Sequence, residues 1–359
     1  MVERLIFQLF KRPPSGPDRA NRRPYYRKPL VARDTRRLVL SVLGLIALSS
    51  PAVASSYLLY GEAQMVGGYS SDAEEDIYYS MTQEEIMQKP SVGFDYLGRF
   101  SGEEGDFATA ALQVRLAWNK EGEDRFEPQV YNAYVKLKSH FTDLWIGHNR
   151  PALGISSYFD SHGLLLRTLA MQGFGFDRDW GAGIYRDLEW GNVAASLTTG
   201  TGAPIYLRGN YFGAGRVSYG VLTRDNHNAG ISFGFGETLE TMGYTLLDSE
   251  PKPLRLAAFD LTVLADNFEH RLDMIAGELW DEKAYGVSWR IGLILDGEGA
   301  WKVELQPAWL LTGGETTRQA SLCVSNQTTA DLTLRGMYVY DELTDDNRFL
   351  VQAYYYAQL

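Results

Sequence analysis

The chain has 359 residues, 45% of them apolar and 22% charged, with 36 glycines and a formal net charge of −11. That length excludes a mini-protein, the scattered charge and low proline content exclude a disordered chain, and a mean hydropathy of −0.24 excludes a polytopic helical membrane protein. The one cysteine, Cys323, can form no intrachain bridge, and the five histidines show no metal-ligand spacing, so no metal or other cofactor is expected.

Charge is unevenly placed. Residues 1–54 carry 11 Lys and Arg against 3 Asp and Glu, a net of +8, whereas residues 55–359 carry 23 against 42, a net of −19. So acidic a body excludes nucleic acid as a partner, because that binding needs a basic face. Within the basic head, Arg36 and Arg37 precede an apolar run from Leu38 to Leu48, and Ser49-Ser50-Pro51 leads into Ala52-Val53-Ala54. Positive flank, apolar run and small-residue site are the three parts of a secretory signal, here with a long basic n-region. The run is too short for a membrane anchor. Residues 1–54 are expected to be removed after Ala54, leaving 55–359 as the exported domain.

Period-2 alternation then dominates, which predicts strands near 56–67, 92–101, 107–118, 127–138, 142–149, 180–188, 191–200, 207–221, 229–236, 255–265, 270–280, 284–295, 300–311, 330–340 and 348–359. In one of the clearest, Tyr285, Val287, Trp289, Ile291, Leu293 and Leu295 alternate with Gly286, Ser288, Arg290, Gly292 and Ile294. Many of these runs last ten to twelve residues. Soluble strands average about five or six, and a tilted bilayer-crossing strand needs about 9–11. Trp118, Trp289, Trp301 and Trp309 sit on the apolar face near strand ends, as interfacial girdles require. The opposite face holds Arg, Lys, Glu, Gln and Gly, which suits a water-filled lumen and not a sandwich core.

Turn residues at 102–106, 266–269 and 296–299 separate hairpins, while 68–91, 237–253 and 313–329 read as long loops. A closed bacterial barrel has an even number of strands. The expected fold is therefore an all-β transmembrane antiparallel barrel of sixteen strands over 55–359, fourteen being the alternative, with the missing strand at 238–247 or 318–325.

The last strand alternates up to the final residue: Phe349, Val351, Ala353, Tyr355, Ala357 and Leu359 are apolar, and Gln352, Tyr354, Tyr356 and Gln358 face the other way. This ending resembles the C-terminal signal of outer-membrane proteins. Three further segments matter: Ala133–Lys138 followed by Gly147-His148-Asn149-Arg150, then Arg178-Asp179-Trp180-Gly181, then Asp345-Asp346-Asn347-Arg348. In order and spacing over about 100–359 they resemble the phosphate-selective porin family of Gram-negative outer membranes. That resemblance implies a sixteen-stranded barrel with a loop after the G-x-x-R that folds into the lumen. It also implies an arginine ladder and a lysine cluster for phosphate, and no such run is present. The cations on the lumen-facing positions (Arg115, Lys136, Lys138, Arg290, Lys302 and Arg335) are scattered, and Asp260, Glu304 and Asp331 share that face.

The in-folding loop is expected at 151–178, with Leu164–Leu166 and Leu169–Met171 packed on the inner wall. Asp160, Arg167, Asp177 and Arg178 are the candidate constriction residues, with Arg115, Arg290 and Arg335 as wall cations facing the two aspartates. The expected function is passive diffusion of ions and small polar solutes across the outer membrane, unselective or weakly cation-preferring. The alternatives are the sheath of a porin–cytochrome conduit and a phospholipase-like enzyme. The chain has no C-x-x-C-H and none of the G-x-S-x-G, P-loop or dinucleotide fingerprints, so no catalytic residue is expected. Expected partners are outer-membrane lipid and lipopolysaccharide and the barrel-assembly machinery. A carboxylate on the lipid face, Glu278, fits either a wall covered by a neighbouring subunit, as in a homotrimer, or a position at the membrane interface.

Overall fold

The computed structural model describes residues 56–82, 84–120 and 125–359. The signal segment and its cleavage point after Ala54 lie outside the described residues.

Sixteen antiparallel strands form one closed barrel. In chain order they are β1 (Ser56–Ser70), β2 (Ser91–Gly102), β3 (Gly105–Trp118), β4 (Phe126–Leu137), β5 (Asp143–Asn149), β6 (Asp179–Leu188), β7 (Gly191–Thr198) and β8 (Tyr211–Tyr219). There follow β9 (His227–Thr238), β10 (Lys252–Ala265), β11 (Phe268–Leu279), β12 (Glu282–Ile294), β13 (Trp301–Thr312), β14 (Glu315–Gln327), β15 (Leu332–Asp341) and β16 (Asp346–Gln358). Each strand pairs with its neighbour, and the ring closes through β1 and β16, whose register runs from Tyr60 opposite Gln358 to Ser70 opposite Arg348. Among the described residues the barrel wall has no open strand edge, which is what a wall surrounded by hydrocarbon demands.

The alternation of the sequence becomes the two faces of the wall. Met65, Val92, Ile146, Leu197, Phe233, Phe259, Trp289 and Val351 point outward and are exposed around the circumference. Each such side chain would forgo about 1.5–3 kcal/mol if left in water rather than buried, so the belt is stable only against lipid. Trp289, Trp301 and Trp309 lie on this face, as read from the sequence.

Two expectations change. The segment 313–329 is not a long loop: Gly313 and Gly314 form a two-residue turn into β14, which is the strand missing from the sequence reading. The alternative location, 238–247, forms a small hairpin instead, Thr241–Met242 with Thr245–Leu246. The rims also differ from a simple short-versus-long pattern. One rim carries only brief connections and both strand ends of the closure. On the other, the connections at 71–90, 150–178, 199–210 and 239–251 are long, but those at 280–281, 313–314 and 342–345 are tight turns. Long loops are thus confined to the first ten strands.

Candidate functional site: the lumen and its inserted loop

The loop that leaves β5 at Arg150 enters the barrel and touches the wall on nearly every side. Its entry is set by Gly147, whose φ of 130° is a region that favours glycine, and where a Cβ would collide with the Ala133 carbonyl oxygen. The Ala152 N–H then donates to Ser196 Oγ on β7 (3.0 Å) and the Gly154 N–H to Ser232 Oγ on β9 (2.9 Å). Tyr158 Oη bonds Thr262 Oγ1 on β10 at 2.8 Å, and the Phe159 ring lies under Arg271 and Arg290 at 4.1 and 5.1 Å. The loop next crosses to the far wall. Arg335 Nη1 donates to the Gly163 carbonyl (2.8 Å), and Leu165 and Leu166 enter an apolar cluster with Val66, Cys323, Met337, Val339 and Leu350. Gln306 Nε2 donates to the Arg167 carbonyl at 2.8 Å. Finally Leu169 and Phe174 pack with Phe212, Leu254, Leu256, Ile275, Ala284 and Leu310.

That last cluster shows the wall itself to be apolar where the loop packs on it. Phe212, Leu254, Leu256, Ile275 and Leu310 point inward, and the loop covers them so well that Leu169, Phe174 and Phe212 are fully buried. The lower part of the same sector is polar and equally sealed. Arg216 clamps Asp260 through two bonds (3.0 and 2.6 Å), also reaches Asn228 and Asn192, and lies 4.5 Å from the Tyr158 ring. A bidentate pair this buried holds its geometry because either charge alone would be stranded.

At the loop tip the charges meet their own stem. Asp160 pairs with Arg150 (2.8 Å) and Arg178 (3.5 Å), and Asp177 with Arg178 (2.9 Å). Burial would raise the Asp160 carboxyl, but Arg150, Arg178 and His162 outweigh it and hold the group well below the usual carboxylate range. Arg115, Arg290 and Arg335 do not take the expected places opposite these aspartates. Arg115 binds Glu62 at 3.2 Å, Arg290 binds Gln306 at 2.9 Å, and Arg335 binds Gln352 at 2.9 Å as well as Gly163. The reason is proximity: Arg150 and Arg178 flank the loop and reach its tip before any wall cation does.

His162 completes the tip. Burial, then the charge of Arg115, pushes its imidazole below the ordinary value, against the pull of Glu62 and Asp160. Arg115 Nη2, which can only donate, sits 2.6 Å from Nδ1. Nε2 lies 2.9 Å from Glu62 Oε1 and 2.8 Å from Gln113 Nε2.

The other sequence candidates fall as follows. Arg167 donates to the Ser80 carbonyl at 2.7 Å and so ties the inserted loop to loop 71–90. In loop 71–90, burial lifts the Glu85 carboxyl to about 7 while it accepts from Ser80 Oγ (3.0 Å) and the Met81 N–H (2.7 Å). Lys136 is on the wall, paired with Asp143 at 3.1 Å, and Lys302 bridges Glu269 and Glu304, both at 3.0 Å. Lys138 and Asp331 are not on the wall. β4 ends at Leu137 and β15 begins at Leu332, so both residues fall in turns on the short-turn rim, Lys138 with Asp106 at 3.6 Å. Glu278 faces outward near the loop rim, paired with Arg255 at 3.3 Å.

Several organising residues escaped the sequence reading. Asp179, in the R-D-x-G segment, accepts from Thr199 Oγ1 (2.8 Å) and from the N–H groups of Gly200, Thr201 and Gly202 (2.6, 3.3 and 3.1 Å), and so shapes loop 199–210. Asp346 plays the same part at the closure, accepting from Ser70 Oγ (2.9 Å) and the Asp72 N–H (3.1 Å) and pairing with Arg348. Tyr60, Tyr354 and Tyr356 line the lumen beside the loop tip, Tyr354 and Tyr356 on the inward face that the alternation of the last strand assigns them.

No protein-family model matches the chain, and no curated protein matches it in sequence. Solved structures do. The chain is similar to Salmonella typhi OmpF in complex with daunomycin at TM-score 0.60 and 10% identity, covering 86% of this chain and 99% of that one. It is similar to a loop-L8 deletion mutant of OmpT, an outer membrane protein of Vibrio cholerae, at 0.58 and 13%, covering 84% and 99%. An anion-selective porin from Comamonas acidovorans follows at 0.57 and 12%, covering 85% and 99%. What these proteins and this chain share is the closed barrel.

Proposed function

We propose that the chain is an outer-membrane porin, exported by its basic signal segment and inserted as a diffusion channel for ions and small polar solutes. The observation that carries this reading is the inserted loop: a closed barrel with a lipid-compatible exterior has its lumen narrowed from within by its own polypeptide. The named porins of like fold add support. Many lumen charges are paired with opposite ones, Arg115 with Glu62, Arg150 with Asp160, Arg216 with Asp260 and Lys302 with Glu269 and Glu304, which supports an unselective or weakly cation-preferring channel and not a phosphate-selective one. Outer-membrane lipid, lipopolysaccharide, the barrel-assembly machinery and further copies of the chain in a homotrimer are the proposed partners. Purified protein added to a planar bilayer should give discrete conductance steps whose reversal potential in a salt gradient lies near zero or slightly on the cation side. Absence of steps in correctly folded protein overturns the channel. Strong anion selectivity overturns the selectivity.

A further inference from the structure

The wall formed by β16, β1 and β2 carries a run of aromatic rings that diffusion of ions does not require. Tyr60 and Tyr356 stack with centroids 4.7 Å apart and planes 9° from parallel, and Tyr354 continues the run at 6.2 Å and 9°. His162 meets Tyr354 edge-on at 6.0 Å, and Tyr131 lies 4.4 Å from His162. The rings therefore lead from the short-turn rim, where β1 begins and β16 ends, to the tip of the inserted loop. Gly163 lets that tip lie against the run, since a Cβ there would come within 2.9 Å of Tyr354 Cζ.

Polar groups flank the rings. Tyr356 Oη donates to Asp95 Oδ2 at 2.8 Å, and Asp160 leaves 55% of its side chain exposed. The charges along the run balance: Arg115, Arg150, Arg178 and Arg335 stand against Glu62, Asp95, Asp160 and Asp177. Arg178 and Arg115 already lie over the Tyr131 ring at 4.2 and 5.6 Å, and Arg335 over Tyr354 at 5.7 Å. A further cation meets these guanidinium groups, and an anion meets the carboxylates. A neutral ring bearing hydroxyls meets neither penalty. Its C–H face lies on tyrosine, and its hydroxyls exchange hydrogen bonds with Asp95, Asp160 and Arg150.

We propose that this run is a binding track for a neutral polyhydroxylated ring, a saccharide, moving between Tyr354, Tyr356 and Tyr60. The proposal rests on the channel reading above and names its solute. The experiment measures ion current through the purified protein in a planar bilayer while maltotriose is added to one side. The sugar should interrupt the current in a saturable way. Tyr356→Ala and, separately, Tyr60→Ala should each raise the half-blocking concentration about tenfold, while Tyr356→Phe, which keeps the ring and loses the bond to Asp95, should raise it about threefold. Current that maltotriose leaves untouched overturns the track and spares the channel. Block by tetraethylammonium and not by maltotriose overturns it in favour of a cation site. If no current flows, the channel reading fails, and maltotriose binding to the folded barrel in detergent decides the track by itself. Saturable quenching of aromatic emission that weakens in Tyr356→Ala supports it, and no quenching overturns it.

Discussion

The two sectors of the lumen are built on opposite principles. Facing β8 to β13, the inserted loop is a lid on a core: Leu169 and Phe174 close over Phe212, Leu254 and Leu310, and Arg216 and Asp260 lock the polar layer below. Facing β16 and β1 to β4, the same loop presents Asp160, His162 and Gly163 to tyrosines and charged groups, and only beside them do Leu165 and Leu166 pack on Val66 and Leu350. One stretch of chain thus spends its apolar residues on anchoring and its polar tip on the opening. The difference teaches that a barrel interior need not be uniformly wet. A loop held by a core-like sector can position polar groups in the remaining space as rigidly as a wall does.

Breaking the sealed sector should give the largest effects. Asp260→Ala leaves the Arg216 guanidinium buried without its partner and should cost about 3–5 kcal/mol, read as a lower unfolding temperature of the barrel in detergent; adding Arg216→Met should restore most of the loss. Phe174→Ala opens a void beneath the loop and should cost about 3 kcal/mol, with raised and noisier conductance as the loop loosens; unchanged conductance would mean the seal does not govern the opening.

Smaller effects belong to the other sector. Replacing Asp160 and Asp177 by Asn leaves Arg178 and Arg150 unmatched at the tip, so the reversal potential should move a few millivolts toward anions without closing the channel. The shift should fade as salt rises, since screening acts over about 8–10 Å at physiological strength. The smallest effect concerns loop 71–90. Glu85 has its carboxyl raised to about 7 when folded, so the stabilisation tied to its bound proton is full below its unfolded value and disappears as pH climbs through 7. Hydrogen exchange in segment 76–82 should therefore be slower at pH 6 than at pH 8, after correction for intrinsic rates. Glu85→Gln should abolish the difference.

Much of this architecture was legible because a strand with one face in lipid writes its period directly into the sequence. β14 could be placed only as one of two alternatives, 318–325, because its outward positions include Thr316, Arg318, Ala320 and Asn326, leaving only Leu322 and Val324 as strong signals beside polar Thr317, Gln319 and Ser321. The location of the inserted loop was implied by the resemblance, as the segment between Gly147-His148-Asn149-Arg150 and Arg178-Asp179-Trp180-Gly181. Its partners were not, because Glu62, Arg115, Asp260 and Tyr354 are brought to it only by barrel curvature. The inward apolar residues Leu254 and Leu256 were hard to place for the same reason: a leucine facing a lumen makes sense only once a loop covers it.

The closure has a consequence in time. The first strand must wait for the last, since Tyr60 bonds across to the Gln358 position and Ser70 to that of Arg348. The docking points of the loop straddle this seam, His162 on β1 and Gly163 on β15. Hairpins can form as the chain emerges, but the loop can seat fully only after the two ends have met, which makes it the last event of assembly. A chain stalled short of that meeting would display Leu165 and Leu166 to any protease it met. Resistance of residues 150–178 to cleavage is therefore a clock that starts when the ring is complete.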